Sequence, residues 1–188
     1  RFVTGVQTCA LPICSLLVAR AADNARSLAD FRGRRAICNS PDSQSGYNVL
    51  LKMVAPLARE GRFFAGVNFS GSHRQSLLGL QQGTGDMAAI DCVSWALLAR
   101  HEPAVLEGLC VIGQTPSAPG LPLITGPQTS AQTLAGLRLA LRQLVSDARY
   151  RERCEAQFIC GFSPLTREPY SRLLAWREEA RQQGVTQL

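Results

Sequence analysis

A strand–loop–helix pattern, repeated three times along the middle of the chain, constrains the fold more than any other feature of the sequence. Short apolar segments at 35–39, 64–69 and 87–90 are each followed by polar residues and then by a segment with helical apolar spacing. Strands that alternate with helices in this way predict a mostly parallel sheet with right-handed crossovers. The sequence therefore predicts an α/β fold.

Further elements extend the pattern on both sides. The remaining predicted elements are strands at 15–19 and 109–112 and helices at 47–59, at 75–82 and from Asp91 onward. After Gly113 the chain is rich in Pro, Gly, Thr and Ser, with one extended stretch at 121–125. Two amphipathic helices follow, and Pro169 introduces the second.

Polar segments follow three of the predicted strands. They are Ser-Pro-Asp-Ser-Gln-Ser-Gly at 40–46, Ser-Gly-Ser-His at 70–73, and Asp91. The functional loops of a parallel sheet lie at the carboxyl ends of its strands, and all three segments fall there. The sequence therefore predicts a ligand site at this edge of the sheet.

The first loop offers the groups of an anion site. Ser43 and Ser45 carry hydroxyls, Gln44 carries an amide, and Gly46 allows the backbone to approach a ligand closely. The helix behind them directs free N–H groups and its positive dipole end at the loop, so the site needs no cationic side chain. The alternative is that Asp42 or Ser43 only caps this helix.

The second loop and the third strand end supply more candidates. Ser72 and His73 open a helix in the same way, and the imidazole can donate to an oxyanion, although a surface or capping role is the alternative. Asp91 follows an apolar strand, where an unpaired carboxylate is costly to bury, so it either caps the next helix or faces a ligand. Facing a ligand, it would accept a hydrogen bond from a protonated P–OH group or pair with an amine, and it would repel a fully deprotonated anion such as sulfate.

The sequence disfavours several classes of function. It holds no Gly-x-Ser-x-Gly motif, phosphate-loop Gly-Lys pair or dinucleotide fingerprint, so we expect neither an enzyme nor a cofactor. None of the seven cysteines forms a Cys-x-x-Cys pair, which argues against a metal site. The net charge is +6, but the arginines are scattered and aromatic residues make up only 6%, so we expect no nucleic-acid partner. No apolar run reaches the ~20 residues of a membrane span, so we expect no membrane insertion.

Four stretches together carry a resemblance to a known family. They are Leu-Ala-Asp-Phe-Arg-Gly at 28–33, Pro-Asp-Ser-Gln-Ser-Gly-Tyr at 41–47, Phe-Ser-Gly-Ser-His at 69–73 and Gly-Asp-Met-Ala-Ala-Ile-Asp at 85–91. In this order and spacing the chain resembles the phosphate, phosphite and phosphonate substrate-binding proteins of ABC transporters. The resemblance implies the type 2 periplasmic-binding-protein fold, in which two α/β lobes joined by two hinge crossings hold an anion in the cleft.

The same resemblance implies roles for individual residues. It places Ser43, Gln44 and Ser45 at the phosphoryl oxygens of the ligand and His73 as a further oxygen donor. Family members often show Ser-Thr-Ser where this chain has Ser43-Gln44-Ser45.

The resemblance also places three more residues near the implied site. Asp91 would face the cleft, and Tyr47 and Trp95 would wall the organic part of a ligand or, alternatively, belong to the core. The expected ligand-binding set is Ser43, Gln44, Ser45, Gly46, Tyr47, Ser72, His73 and Asp91.

The resemblance also implies a division of an N-terminally truncated chain. Residues 1–14 resemble translated sequencing-adapter read-through and are expected to be non-native. The expected parts are a first hinge crossing at 15–20, a complete second lobe at 21–112, a return crossing at 113–125 and the C-terminal helices of the first lobe at 126–188.

The expected partners follow from the family. They are a small oxyanion ligand and the membrane permease of an ABC transporter, with the protein itself a monomer in the periplasm. The cytoplasm is the alternative location, because the five cysteines after the first segment are odd in number. Two alternative functions stay open. The chain could be the effector-binding sensor domain of a transcription regulator, or it could be a binding protein for an organosulfonate or a vitamin precursor.

Overall fold

The structure divides the chain into two compact units. A computed structural model describes the backbone of Thr4–Gly5 and all of residues 12–188. The larger unit consists of Cys14–Ser117 and Arg172–Leu188, and the smaller unit of Arg1–Ile13 and Ala118–Ser171. The chain therefore passes between the units three times. The predicted lobe boundaries stay a prediction, and most of the segment 1–14 lies outside the described residues.

Seven strands and six α-helices are found in the described part of the chain. The strands are β1 (Thr4–Gly5), β2 (Ser15–Arg20), β3 (Arg35–Cys38), β4 (Gly66–Phe69), β5 (Met87–Asp91), β6 (Leu109–Gln114) and β7 (Ile124–Thr125). The helices are α1 (Val49–Val54), α2 (His73–Gln81), α3 (Cys92–His101), α4 (Ala131–Ser146), α5 (Arg151–Ala156) and α6 (Glu168–Gln182). Short 3-10 segments lie at Ala21–Asp23, Leu28–Phe31, Ala55–Leu57, Pro103–Leu106 and Ala148–Tyr150, and a π-helical turn lies at Gln44–Asn48.

The larger unit is built on a five-stranded mixed sheet. Its strand order is β4-β3-β5-β2-β6, with β3 parallel to β4 and β5, and β2 antiparallel to both β5 and β6. Four strands thus run in one direction, which confirms the mostly parallel sheet. The reversed direction of β2, which lies between β5 and β6, was not predicted. It joins β3 through two 3-10 segments rather than a crossover helix, so the crossover rule does not fix its direction.

Apolar side chains alternate between the two faces of this sheet. On β3, Ala36 and Cys38 belong to one buried cluster and Ile37 to the other. The first cluster includes Leu50 of α1, and the second includes Leu80 of α2. Because the strands contribute to both clusters, helices cover both faces of the sheet and hold the carboxyl ends of its parallel strands in fixed positions.

The helix predicted at 47–59 is broken into three parts. The π-helical turn Gln44–Asn48 leads into α1, and the 3-10 segment Ala55–Leu57 follows it. Pro56 lacks a backbone N–H group and so cannot continue the α-helical hydrogen bonds. The strand predicted at 64–69 is also shorter, because only Gly66–Phe69 pairs with β3.

The smaller unit is mainly helical. Helices α4 and α5 belong to it, and β7 pairs with β1 in a two-stranded ribbon. The extended stretch predicted at 121–125 contributes only Ile124–Thr125 as a strand, and the α5 helix was not predicted. Among the described residues, no helix has the length and apolar character that a membrane crossing requires.

Candidate functional site

The first two predicted loops meet through one side-chain contact. Ser45, within the π-helical turn, places its Oγ 2.9 Å from Nε2 of His73, the first residue of α2. Residues Ser43–Tyr47 and His73 follow β3 and β4, which are parallel neighbours, so their carboxyl ends lie at the same edge of the sheet. The structure thus brings together a hydroxyl and an imidazole that the sequence placed in separate loops.

Ser43 and Gly46 shape the start of the helical stretch. Ser43 is its N-cap, and its Oγ accepts a hydrogen bond from the Gly46 backbone N–H at 3.0 Å. A Cβ at position 46 would overlap the Oδ1 of Asn39, so this close approach requires glycine. The Cys38 thiol donates to the Gly46 carbonyl at 3.3 Å, and burial raises the pKa of Cys38 to about 12, which keeps it protonated as a donor. The hydrogen bond from the Gly46 N–H to Ser43 Oγ shows that Ser43 caps the helical stretch, as the alternative interpretation of this residue predicted.

Two buried residues with hydroxyl side chains, Ser15 and Thr115, hold the loop that contains Ser45 through hydrogen bonds. Ser15 Oγ donates to the Ser45 carbonyl at 2.8 Å, while the Ser15 backbone N–H donates to Thr115 Oγ1 at 2.9 Å. Both Ser15 and Thr115 are almost fully buried. Sequence analysis missed them, because their roles depend on β2 and β6 lying side by side in the sheet.

Asp91 lies at the same edge of the sheet as the loops. It ends β5 directly opposite Ser15 of β2, is 5% exposed, and its Oδ1 accepts a hydrogen bond from the Ser94 backbone N–H at 2.8 Å. The carboxylate therefore caps α3, and it is close enough to influence the titration of His73.

His73 is held as a neutral, largely buried imidazole. Ser72 caps α2 by accepting from the Gln75 backbone N–H at 3.2 Å, which sets His73 at the first helical position. Burial lowers the pKa of His73, and the negative charge of Asp91 raises it in partial opposition. The Nδ1 atom is buried without a hydrogen-bond partner among the described residues. One ring nitrogen therefore has hydrogen-bonding capacity that the folded chain leaves unused.

Gln44 and Tyr47 make contacts with other residues of the larger unit. Gln44 Oε1 accepts from Asn48 Nδ2 at 2.6 Å, while its Nε2 is buried with no partner in the described chain. The Tyr47 ring lies 6.0 Å from that of Phe69, and its hydroxyl accepts from the Leu188 backbone N–H at 3.3 Å. Trp95 packs against the second buried cluster, in agreement with the core alternative for it.

The charge chemistry of this edge does not indicate a metal centre. Within residues 12–188, no group of three or more His, Cys, Asp and Glu side chains is arranged to hold a metal ion. The contacts that join Ser15, Ser45 and His73 involve hydroxyl, imidazole and backbone groups. Such groups can donate hydrogen bonds to a small oxyanion without neutralising it.

Comparison with known families identifies the chain. Residues 10–170 match the family described as the periplasmic phosphonate substrate-binding protein of an ABC transporter. The chain belongs to this family. Members of this family are non-enzymatic components of transport, which confirms the expectation that the protein is not an enzyme. The expected fold is confirmed by the solved structures described next. No curated protein matches the chain.

Solved structures show the type 2 periplasmic-binding-protein fold. PhnD1 from Prochlorococcus marinus, in complex with methylphosphonate, has a TM-score of 0.80 and 14% identity, over 95% of this chain and 72% of that one. The binding-protein component PA3383 of a phosphonate transporter from Pseudomonas aeruginosa has a TM-score of 0.75 and 20% identity, over 97% and 72%. The aliphatic sulphonate binding protein SsuA from Escherichia coli has a TM-score of 0.62 and 13% identity, over 96% and 64%.

Proposed function

We propose that the protein binds a phosphonate, phosphate or closely related oxyanion at the loop edge of the larger unit and delivers it to a membrane permease. The observation that carries this proposal is the 2.9 Å contact between Ser45 Oγ and His73 Nε2, which joins the two loops that the family resemblance implicates. Membership of the phosphonate-binding family supports the same ligand class. The family also supports a periplasmic location and an ABC-transporter permease as the partner, and we propose that the protein works as a monomer.

Each proposed ligand residue has a distinct chemical task. Ser45 and the backbone N–H groups at the start of the helical stretch donate to phosphoryl oxygens, and His73 donates from its ring. Ser43, Gly46 and Ser72 set the loop backbones, and Tyr47 lies beside the site as part of its wall. Asp91 accepts a hydrogen bond from a protonated P–OH group, which would favour a monoprotonated ligand over sulfate.

A thermal and calorimetric ligand panel tests the proposal on the 188-residue chain. The panel is phosphate, phosphite, methylphosphonate, aminoethylphosphonate, sulfate and taurine. A ligand at about 100 times its dissociation constant should add roughly 2.7 kcal/mol to the free energy of unfolding. We expect this stabilisation from at least one phosphorus oxyanion and not from sulfate.

Variants separate the site from general effects on the chain. Ser45→Ala and His73→Ala should weaken binding about tenfold or more, because each removes a donor to a charged oxygen. Ser146→Ala, at an exposed serine of α4, is the matched control and should bind normally. Equal stabilisation by sulfate would overturn the role of Asp91, a response to taurine alone would favour an organosulfonate ligand, and no response at all would overturn the proposed function.

A further inference from the structure

An asparagine outside the predicted site fixes the orientation of a residue within it. Asn48 Nδ2 lies 3.1 Å from the backbone carbonyl of Leu173, in α6. A carbonyl oxygen can only accept a hydrogen bond, so Asn48 must present its NH2 group there. The same nitrogen lies 2.6 Å from the side-chain oxygen of Gln44. The Leu173 carbonyl thereby determines which end of both amides faces which neighbour.

The consequence for Gln44 is a buried donor with nothing to bind. With Oε1 committed to Asn48, the other end of the amide is Nε2, which is buried without a hydrogen-bond partner among the described residues. An unsatisfied buried polar group is costly, and native structures hold few of them. Gln44 stands between Ser43 and Ser45 in the proposed anion loop, where a ligand oxygen would provide the missing acceptor.

We propose that Gln44 is a donor-only specificity determinant of the anion site, and that Asn48 is the positioning residue that holds its Nε2 available to a ligand oxygen. This inference rests on the proposed function. An amide NH2 cannot accept a hydrogen bond, so only an oxygen that can act as an acceptor satisfies it. A hydroxyl side chain, as in the Ser-Thr-Ser pattern, can donate or accept. The position of Gln44 therefore requires an acceptor oxygen of the ligand, while Asp91 faces a protonated one.

The C-terminal segment Arg172–Leu188 is the anchor of this arrangement. Besides the Leu173 carbonyl, it contacts the helical stretch where Glu179 Oε2 lies 2.6 Å from Lys52 Nζ and where the Leu188 N–H donates to Tyr47. These contacts flank Asn48 in sequence on both sides. The orientation of Gln44 therefore depends on a segment that supplies no predicted ligand residue.

A double-mutant cycle tests the positioning role, with the dissociation constant for methylphosphonate measured by calorimetry on the full chain. Asn48→Asp removes the NH2 donor and reverses the preferred orientation of the Gln44 amide. It should weaken binding about tenfold or more in the wild-type background. In a Gln44→Thr background, where the hydroxyl needs no orientation from Asn48, the same substitution should change the dissociation constant less than about twofold. A purely structural role for Asn48 would give equal losses in both backgrounds and would overturn the proposal.

Two further variants keep the test decisive if Asn48→Asp folds poorly. Gln44→Glu has the same shape and keeps the oxygen facing Asn48, but replaces the free donor with a second oxygen, so methylphosphonate binding should fall about tenfold or more. Asn68→Asp is the matched control, because Asn68 Nδ2 also donates to a backbone carbonyl, that of Thr84, at 2.6 Å. It should leave binding within about twofold of wild type.

The outcomes distinguish the inference from the function on which it rests. Unchanged binding by Gln44→Glu, with normal binding by the wild type, overturns the role of Gln44 alone. A wild-type chain that binds no anion of the panel overturns both the function and the inference.

Discussion

In the larger unit, the central strands β2, β3 and β5 are almost entirely buried, whereas α4 of the smaller unit has no buried residue. Within residues 118–171, only Gly120 and Cys154 are buried. Leu137 and Leu139 of α4 are 42% and 56% exposed, while Leu80 of α2 is fully enclosed. The two units thus differ sharply in how far their apolar side chains are removed from water.

This difference teaches that an amphipathic pattern specifies a helix but not its burial. The apolar spacing of α4 was sufficient to predict the helix at 131–146, and that of α2 predicted a helix in the larger unit. Only α2 has a sheet beneath it, formed by β3 and β5. Burial therefore comes from the packed sheet, and stability should be concentrated in the larger unit.

The largest expected effect comes from removing the same side chain in each unit. Leu80→Ala should lower the free energy of unfolding by about 2–5 kcal/mol, because it leaves a cavity under the sheet. Leu137→Ala should cost less than about 1 kcal/mol, because that side chain is already partly hydrated. Urea denaturation followed by circular dichroism measures both, and equal losses would show that the smaller unit is packed as firmly as the larger one.

A second pair of variants should change the free energy of unfolding in opposite directions. Gly46→Ala places a Cβ against Asn39 Oδ1 and within 3.2 Å of Ser43 Oγ, so it should destabilise the protein by about 1–3 kcal/mol. Gly136→Ala in α4 meets nothing within 4 Å and should stabilise the helix by up to about 1 kcal/mol. Thermal unfolding measures both. Stabilisation by Gly46→Ala would mean that the loop around Ser43 is loosely packed.

The smallest expected effect is a pH dependence of the free energy of unfolding, which tests whether His73 in the candidate site is buried by the packing of the larger unit. Burial holds the folded-state pKa of His73 below its unfolded value of 6.5, so the unfolded chain takes up this proton first as the pH falls. The stability of the neutral form is therefore present above about pH 6.5 and is lost below it, by no more than about 1.4 kcal/mol per pH unit.

The measurement compares unfolding at pH 7.5 and at pH 5.5. His73→Gln should lose less stability over this interval than the wild type, whereas His101→Gln, at an exposed position, should behave like the wild type. Identical pH profiles for the wild type and His73→Gln would show that His73 is not held neutral by burial.

Much of the sheet could be predicted from the sequence, because its central strands are short apolar runs that are buried on both faces. The segments around Ile37 and Ala88 are examples, and the cap at Asp91 was one of two roles that the sequence left open for this residue. The sequence also placed the loops that carry Ser45 and His73 at one edge of the sheet, although it did not predict the contact between their side chains.

Other features could not be predicted, because they depend on pairing between distant parts of the chain. The direction of β2 and the bonds of Ser15 with Thr115 require the assembled sheet. The orientation of Gln44 depends on Leu173, which is 125 residues from Asn48. Only the spacing of Gln44 and Asn48, four residues apart on a helix, could have indicated their contact.

The position of β2 between β5 and β6 has a consequence for biosynthesis. The ribosome completes this strand first among those of the larger sheet, yet Ser15 and its partner Thr115 are separated by 100 residues. Until residues 109–115 emerge, the edge of β2 that faces β6 has no native neighbour and is open to pairing with other chains. The β6 edge of the sheet is therefore the last part of it to form, and it can form only after residues 109–114 have been made.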